Sequence, residues 1–503
     1  MALAAASLWT TLTLPVTLET GELPDRKPLP ATMPGGIAVF DFDDDGVLDL
    51  FFSNGGQLPD GKKAKNRMLR GLGDFRFVDV TDKAGVGGAG YDFGAAVADY
   101  DGDGRLDLFV AGLRGVVLYR NLGNGGFGDV TAKAGIDNRG RWAVGGAWFD
   151  MENDGDADLL VLNYVRWDPA TEKRCVVEGK LDFCHPKFYD PQPNALFRNN
   201  GDGTFTDVSE ASGIGKHEGK GMGVAAADFD GDGLTDIFVT NDRLFAFYFH
   251  NLGQGRFAEK AFDAGVAVPQ DGNPVSAMGA EAQDYDNDGR PDLAYTALRD
   301  ETFPLYRNRG GEFVEVTAAS RMAVLSRPMA GWGIAFADLD NDGWKDIAVA
   351  RSDALSAQGA RGESAKEPPA WFRNLGDGKF AKGTGFESLP PAMYRGLVAA
   401  DLNNDGCLDL VLTARDAAAC VLRHPCAAPR NWLKVDVPVL GARVRVEQQW
   451  RHVTTAAGYA SSYAGPLHFG LGALMKVTGE VLFPDGKRKT FESPANRTIR
   501  VEP

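Results

Sequence analysis

Residues Asp99–Val110 read DYDGDGRLDLFV, and the same grammar returns six more times along the chain. The other copies are DFDDDGVLDL from Asp41, DMENDGDADL from Asp150, DFDGDGLTDI from Asp228, DYDNDGRPDL from Asp284, DLDNDGWKDI from Asp338 and DLNNDGCLDL from Asp401. Their first residues are 58, 51, 78, 56, 54 and 63 positions apart, so each repeat is a supersecondary unit rather than a short solenoid turn. An apolar run follows every copy and reads as a strand. Five residues before every first aspartate stands a glycine (Gly36, Gly94, Gly145, Gly223, Gly279, Gly333, Gly396), and the small apolar residues in between, such as IAVF and AAVA, read as a second strand. Later in most units an Asn-Gly-rich turn separates two further apolar segments, as in NLGNGGFGDV from Asn121, which marks a hairpin. Four strands per unit and seven units predict an all-β fold, a seven-bladed β-propeller whose glycines sit where inner strands crowd the axis.

The acidic turns carry the chemistry. Counted from its first aspartate, each offers carboxylates at positions 1, 3, 5 and 9 and a backbone carbonyl at position 7. The sets are Asp41, Asp43, Asp45, Asp49 with Val47; Asp99, Asp101, Asp103, Asp107 with Arg105; and Asp150, Glu152, Asp154, Asp158 with Asp156. They continue with Asp228, Asp230, Asp232, Asp236 and Leu234; Asp284, Asp286, Asp288, Asp292 and Arg290; Asp338, Asp340, Asp342, Asp346 and Trp344; and Asp401, Asn403, Asp405, Asp409 and Cys407. Four carboxylates within nine residues repel one another unless a cation lies among them. Oxygen-only ligands on a flexible loop favour Ca2+ over the strictly octahedral Mg2+, with up to seven ions expected. An EF-hand is excluded, because position 12 is apolar (Phe52, Val110, Val161, Val239, Tyr295, Val349, Leu412) where that motif needs a bidentate Glu.

Composition agrees. The chain has 503 residues, 69 acids against 53 Lys and Arg, and a net charge of -16. The 27 acids at ligand positions account for the whole excess, and a basic face for nucleic acid is absent. No stretch reaches the apolar length of a membrane span.

These repeats resemble the FG-GAP/VCBS calcium repeats of integrin-type β-propellers over about residues 35–425. The tail is similar to the ASPIC/UnbV domain through NWLKVDV from Asn431, GARVRVE from Gly441, GYASSYAGPLHFGLG from Gly458, VLFPDGKRKTF from Val481 and NRTIRV from Asn496. The combination resembles the bacterial relatives of cartilage acidic protein 1. It implies a propeller at 35–428, a small β domain at 429–503, and an extracellular, surface or periplasmic setting. Residues 1–34 have two readings, an export signal lacking a basic start or a strand, TLTLPVTLE, that closes the ring.

The wide third spacing comes from an insertion at Trp167–Pro193, whose Cys175 and Cys184 read as a disulfide in preference to a zinc half-site with His185. Cys420 and Cys426 read as a second disulfide, leaving Cys407 free. Ser352–Pro369 reads as a surface loop. The repeated residues are spent on metal and packing, so the expected function is a binding or scaffold module for a glycan or protein ligand. Its predicted ligand rim lies where the inner strands begin, at Met222, Met278, Trp332, Tyr394 and Arg395 with Arg141 nearby. The alternative is a calcium-dependent enzyme acting on a polysaccharide or phosphodiester, with His217 and Glu218 as its catalytic candidates.

Overall fold

The computed structural model describes residues 9–22, 25–56, 58, 64–88, 90–177, 179–354, 364–387, 389–426 and 430–503. Within them each acidic repeat forms its own sheet. In the second, the inner strand Asp92–Ala98 leads through the acidic loop to Asp107–Gly112, and a hairpin adds Gly115–Asn121 and Phe127–Asp129. Inner strands are buried along nearly their whole length because each is covered by neighbours on both faces; Asp92–Ala98 is buried at all seven residues. Apolar side chains fill the wedges between sheets, with Val97, Leu108 and Val110 against Phe40, Phe51 and Met68 between the first two. Each inner strand lies against those of the sheets before and after it, and the seventh lies against the first. The seven sheets therefore close a ring.

Both ends of the chain take part in that closure. Thr10–Thr17 is the outermost strand of the seventh sheet, antiparallel to Ala418–Arg423, with Leu14 and Val16 buried. Residues 1–8, on which the export-signal reading depends, lie outside the described residues, as do residues 355–363 of the loop expected at Ser352–Pro369.

The tail forms a three-stranded sheet (Asn431–Asp436, Leu467–Gly472, Arg497–Arg500) on a four-stranded one (Arg443–Val446, Gln449–His452, Lys476–Leu482, Arg488–Pro494) around its own apolar core. One piece leaves it. Ser461–Ala464 runs parallel to the first inner strand, Ala38 opposite Ser462, and Tyr459 bridges to Gly223 three sheets away. Ala460 O accepts the Ala95 amide at 3.1 Å, and the Tyr459 hydroxyl donates to Met33 O at 2.8 Å. The axial channel is thus filled by the tail's own backbone, and the crowding expected at the repeated glycines includes it: a Cβ on Gly94 would lie 2.2 Å from Val144 O and 3.1 Å from Ala460 O.

One disulfide expectation is corrected. Cys175 pairs with Cys184, but Cys426 pairs with Cys407, and Cys420 is a buried free thiol. Cys420 lies inside an extended strand that runs on to Arg423, and three residues at about 3.3 Å each carry the chain beyond the roughly 7 Å that a disulfide can span. Its side chain packs with Trp9, Phe386 and Leu410, and burial raises its pKa to about 12.

Candidate functional site

The acidic loops share one hydrogen-bond plan, varied in the fourth, where Asp228 accepts the amides of Gly231 and Gly233. The first carboxylate folds the loop around itself: Asp41 accepts the amides of Asp45 at 3.1 Å and Gly46 at 2.7 Å, and Asp99 does the same for Asp103 and Gly104. The fifth-position carboxylate accepts the amide of position 7, as Asp45 does from Val47. Such turns need left-handed backbone at position 6, where every loop has glycine, and at position 4 as well (φ 55–83°). Position 4 is Asp44, Gly102, Asn153, Gly231, Asn287, Asn341 and Asn404, all from the few residue types that enter this region readily. That pattern was readable in the sequence as a signal of loop shape.

The ninth-position aspartate is a buried clamp. Asp107 accepts the Tyr100 amide on one oxygen at 3.2 Å and the Asn121 amide on the other at 2.7 Å, tying the loop to the third strand. All seven ninth-position residues are almost fully buried. Desolvation pushes Asp49, Asp107, Asp158 and Asp409 up to about 8, so each is a poor host for its own charge unless a cation is near. The donor set fits a hard cation. Carboxylate oxygens of Asp41, Asp43 and Asp45, and likewise of Asp99, Asp101 and Asp107, lie within 4.8 Å of one another. Asp43, Asp101 and Asp286 at position 3 each keep a buried Oδ1 with no hydrogen-bond partner.

Two features escaped the sequence reading. An arginine near the end of the third strand reaches positions 3 and 5: Arg307 lies 2.7 Å from Asp286 and 3.0 Å from Asp288, and Arg70, Arg120 and Arg373 repeat the contact. The residue after it is the repeated Asn, whose amide group joins two sheets. Asn308 donates to Pro291 O in its own loop and to Phe229 O in the loop before it, and Asn121, Asn199, Asn251 and Asn374 do likewise. The first sheet has Gly71 there instead. At the seam between the seventh sheet and the first, Thr413 donates its hydroxyl to Gly35 O at 2.6 Å.

The tail covers this loop face unevenly. Lys434 Nζ lies 2.7 Å from Asp401 Oδ2, Arg430 2.9 Å from Asp340, and Trp450 packs on Gly289, so loops five to seven sit beneath it. His468 Nε2 lies 3.0 Å from Gly406 O, and desolvation lowers its pKa, with that of buried His452, to about 3. Loops one to three instead face a cleft of about 1160 Å³ between the ring and the tail, with Asp41, Asp99 and Asp154 on its floor and Leu440 and Phe483 on its wall.

The opposite face corrects the predicted rim. Met222, Met278, Trp332 and Arg395 are buried because Leu29–Thr32 and the disulfide-closed insertion pack over them, and Tyr394 is buried in a separate cluster with Trp9, Phe386 and Leu389. The Arg395 guanidinium stacks 3.8 Å above the Trp332 ring and donates to Thr32 O, and Arg141 alone keeps partial exposure. The cavity left there measures about 40 Å³. The two catalytic candidates point to different partners: the His217 ring packs against Phe247 and Phe249, whereas Glu218 pairs with Arg166 at 2.5 Å. No described helix is long and apolar enough to cross a membrane.

A family model described as FG-GAP-like repeat matches residues 41–110, 99–161, 179–239, 228–295, 284–349 and 351–412, and one described as ASPIC and UnbV matches 435–503. Cartilage acidic protein 1 of Homo sapiens is 26% identical over 503 residues, 92% of this chain and 71% of its own length. The Mus musculus protein is 25% identical, with 92% and 72% covered. Among solved structures, an Agrocybe aegerita protein described as recognising non-reducing terminal N-acetylglucosamine matches with a TM-score of 0.43 at 17% identity, over 71% of this chain and 81% of its own. A rhamnogalacturonan lyase of Bacillus licheniformis matches with a TM-score of 0.39 at 13% identity, over 83% and 76%.

Proposed function

Because the chain belongs to the FG-GAP-like repeat family and carries an ASPIC and UnbV domain, we propose that it is an extracellular or surface-displayed scaffold whose acidic loops hold Ca2+ and which binds a glycan or a protein. The observation that carries the calcium reading is the third-position carboxylate. Asp43, Asp101 and Asp286 each retain a buried oxygen with no partner, inside a loop that amide hydrogen bonds fold around its first-position carboxylate. A buried acceptor left unmade costs about 1–3 kcal/mol, a cost that a hard cation removes. The ion would also supply charge opposite the ninth-position aspartate. Two disulfides support an oxidising compartment, and the cleft between ring and tail supplies concave surface for a ligand.

Thermal unfolding with Ca2+ and with EDTA tests the metal. At ~2 mM Ca2+ and an affinity of ~0.1 mM, linkage gives about 1.8 kcal/mol for each site, so chelation should lower the melting temperature steeply. A melting temperature unmoved by EDTA would refute the calcium reading. Glycan and protein arrays probed in both conditions test the binding role, which fails if neither array captures the protein in either condition.

A further inference from the structure

The tail lays its cations over the later loops and leaves the first three facing the cleft. We infer that this cleft is a docking groove for an extended peptide segment in which Lys or Arg side chains alternate with apolar ones. The inference rests on the binding-scaffold reading and names its site and partner class.

Charge comes first. Each of the three open loops carries four carboxylates at its ligand positions and the third adds Asp156; one divalent ion with the third-strand arginine would offset three, and Arg105 offsets a fourth in the second loop. Asp44 and Asp485 line the same cleft from outside the ligand positions. Lys434 and Arg500 also line the cleft but are paired with Asp401 and Asp436, so its balance stays negative with the loops loaded, which favours a cationic partner and opposes an anionic one. The opposite wall is apolar, built from Val439, Leu440, Phe483 and Ile499. A strand presents alternate side chains to opposite faces, so one alternating segment meets both surfaces at once.

Backbone contacts are also on offer. Arg497–Arg500 is the outer strand of the tail's three-stranded sheet, hydrogen-bonded to Asn431–Asp436 on one side only, and its Thr498–Arg500 stretch lines the cleft. A free strand edge is the surface that strand addition uses. A volume of about 1160 Å³ exceeds the roughly 300–1,000 Å³ of small-molecule sites and suits several residues of extended chain.

The test is fluorescence anisotropy of the labelled octapeptide KVKVKVKV against the full chain, disulfides intact, in Ca2+ buffer. The acidic peptide EVEVEVEV should bind at least tenfold more weakly, and KVKPKVKV, which keeps every lysine and loses a backbone donor, several-fold more weakly. The double variant Asp44→Asn, Asp485→Lys, which keeps a residue suited to the left-handed backbone at position 44, should weaken the basic peptide about tenfold at an unchanged melting temperature. If that variant folds poorly, Asp44→Asn with Asp485→Asn should still weaken it about threefold. Equal binding of the acidic and basic peptides, or full affinity in the charge variants, overturns the inference. So does a glycan, rather than the peptide, whose binding the same variants abolish. Absence of peptide binding in a protein that the arrays do capture removes the cleft assignment and leaves the scaffold reading standing, whereas failure of both arrays removes both.

Discussion

The Asn that joins neighbouring sheets makes a measurable prediction at Asn308, which is fully buried. Its Nδ2 donates to Phe229 O at 2.8 Å and Pro291 O at 2.9 Å, and its Oδ1 accepts the amides of Gly310 and Gly311. Asn308→Ala leaves the two carbonyls buried and unpartnered, at about 1–3 kcal/mol each. The two glycine amides lie nearer the surface and turn to water at little cost. The sum is about 2–6 kcal/mol, and water entering the space left by the amide brings the expectation to about 3 kcal/mol. Asn308→Asp keeps the acceptor and loses the donor while adding charge opposite two carbonyls, so it should be at least as damaging. Urea unfolding in saturating Ca2+, followed by tryptophan fluorescence, reads the loss as a lower midpoint at unchanged slope. A change below about 0.5 kcal/mol for Asn308→Ala would refute the claim that this amide ties the fourth sheet to the fifth.

Further outcomes separate other parts of the argument. Gly94→Ala puts a Cβ 2.2 Å from a backbone oxygen and should prevent soluble folding, whereas Gly46→Ala meets nothing within 4 Å and should cost only the roughly 1–2 kcal/mol of a left-handed alanine; expression and circular dichroism distinguish them. His452 and His468 have folded pKa values of about 3 against about 6.5 unfolded, so below pH 6.5 the unfolded chain binds protons that the folded chain does not. Their stabilising contribution is complete above pH 6.5 and falls with acid, by roughly 2 kcal/mol per histidine at pH 5, and His452→Gln should flatten that part of a stability–pH curve. Peptide mapping without reductant should recover Cys175–Cys184 and Cys407–Cys426 and label Cys420 only after unfolding; a Cys420–Cys426 peptide would overturn the strand geometry around it.

The ring itself was legible because its determinants are local and repeated. The acidic turn and inner glycine recur seven times and the hairpin six, each within one unit. What the sequence concealed was long-range. Asn308 stands beside Arg309 and Gly310 and reads as a turn residue, yet its decisive partner, Phe229, is 79 residues earlier. The pairing of Cys420 with Cys426 was inferred from closeness along the chain, which an extended strand converts into distance. Trp332 and Arg395 are residue types common on contact surfaces, and nothing nearby announces that Leu29–Thr32 will fold back over them. The segment from Gly458 to Ser462 is small enough to enter an axial channel, but small residues also suit any loop, so its destination could not be read.

That destination governs the order of assembly. Ile37 donates its amide to Ser461 Oγ across 424 residues of chain, and at about 5–20 residues per second a ribosome needs roughly 20 to 85 s between making the two. Throughout that interval the nascent protein lacks the segment that fills its axis, and its first inner strand has no partner on that side. Its glycine-lined strands can pair with any intruding backbone, including that of a second nascent chain. The first inner strand therefore completes its pairing only with residues made near the end of synthesis.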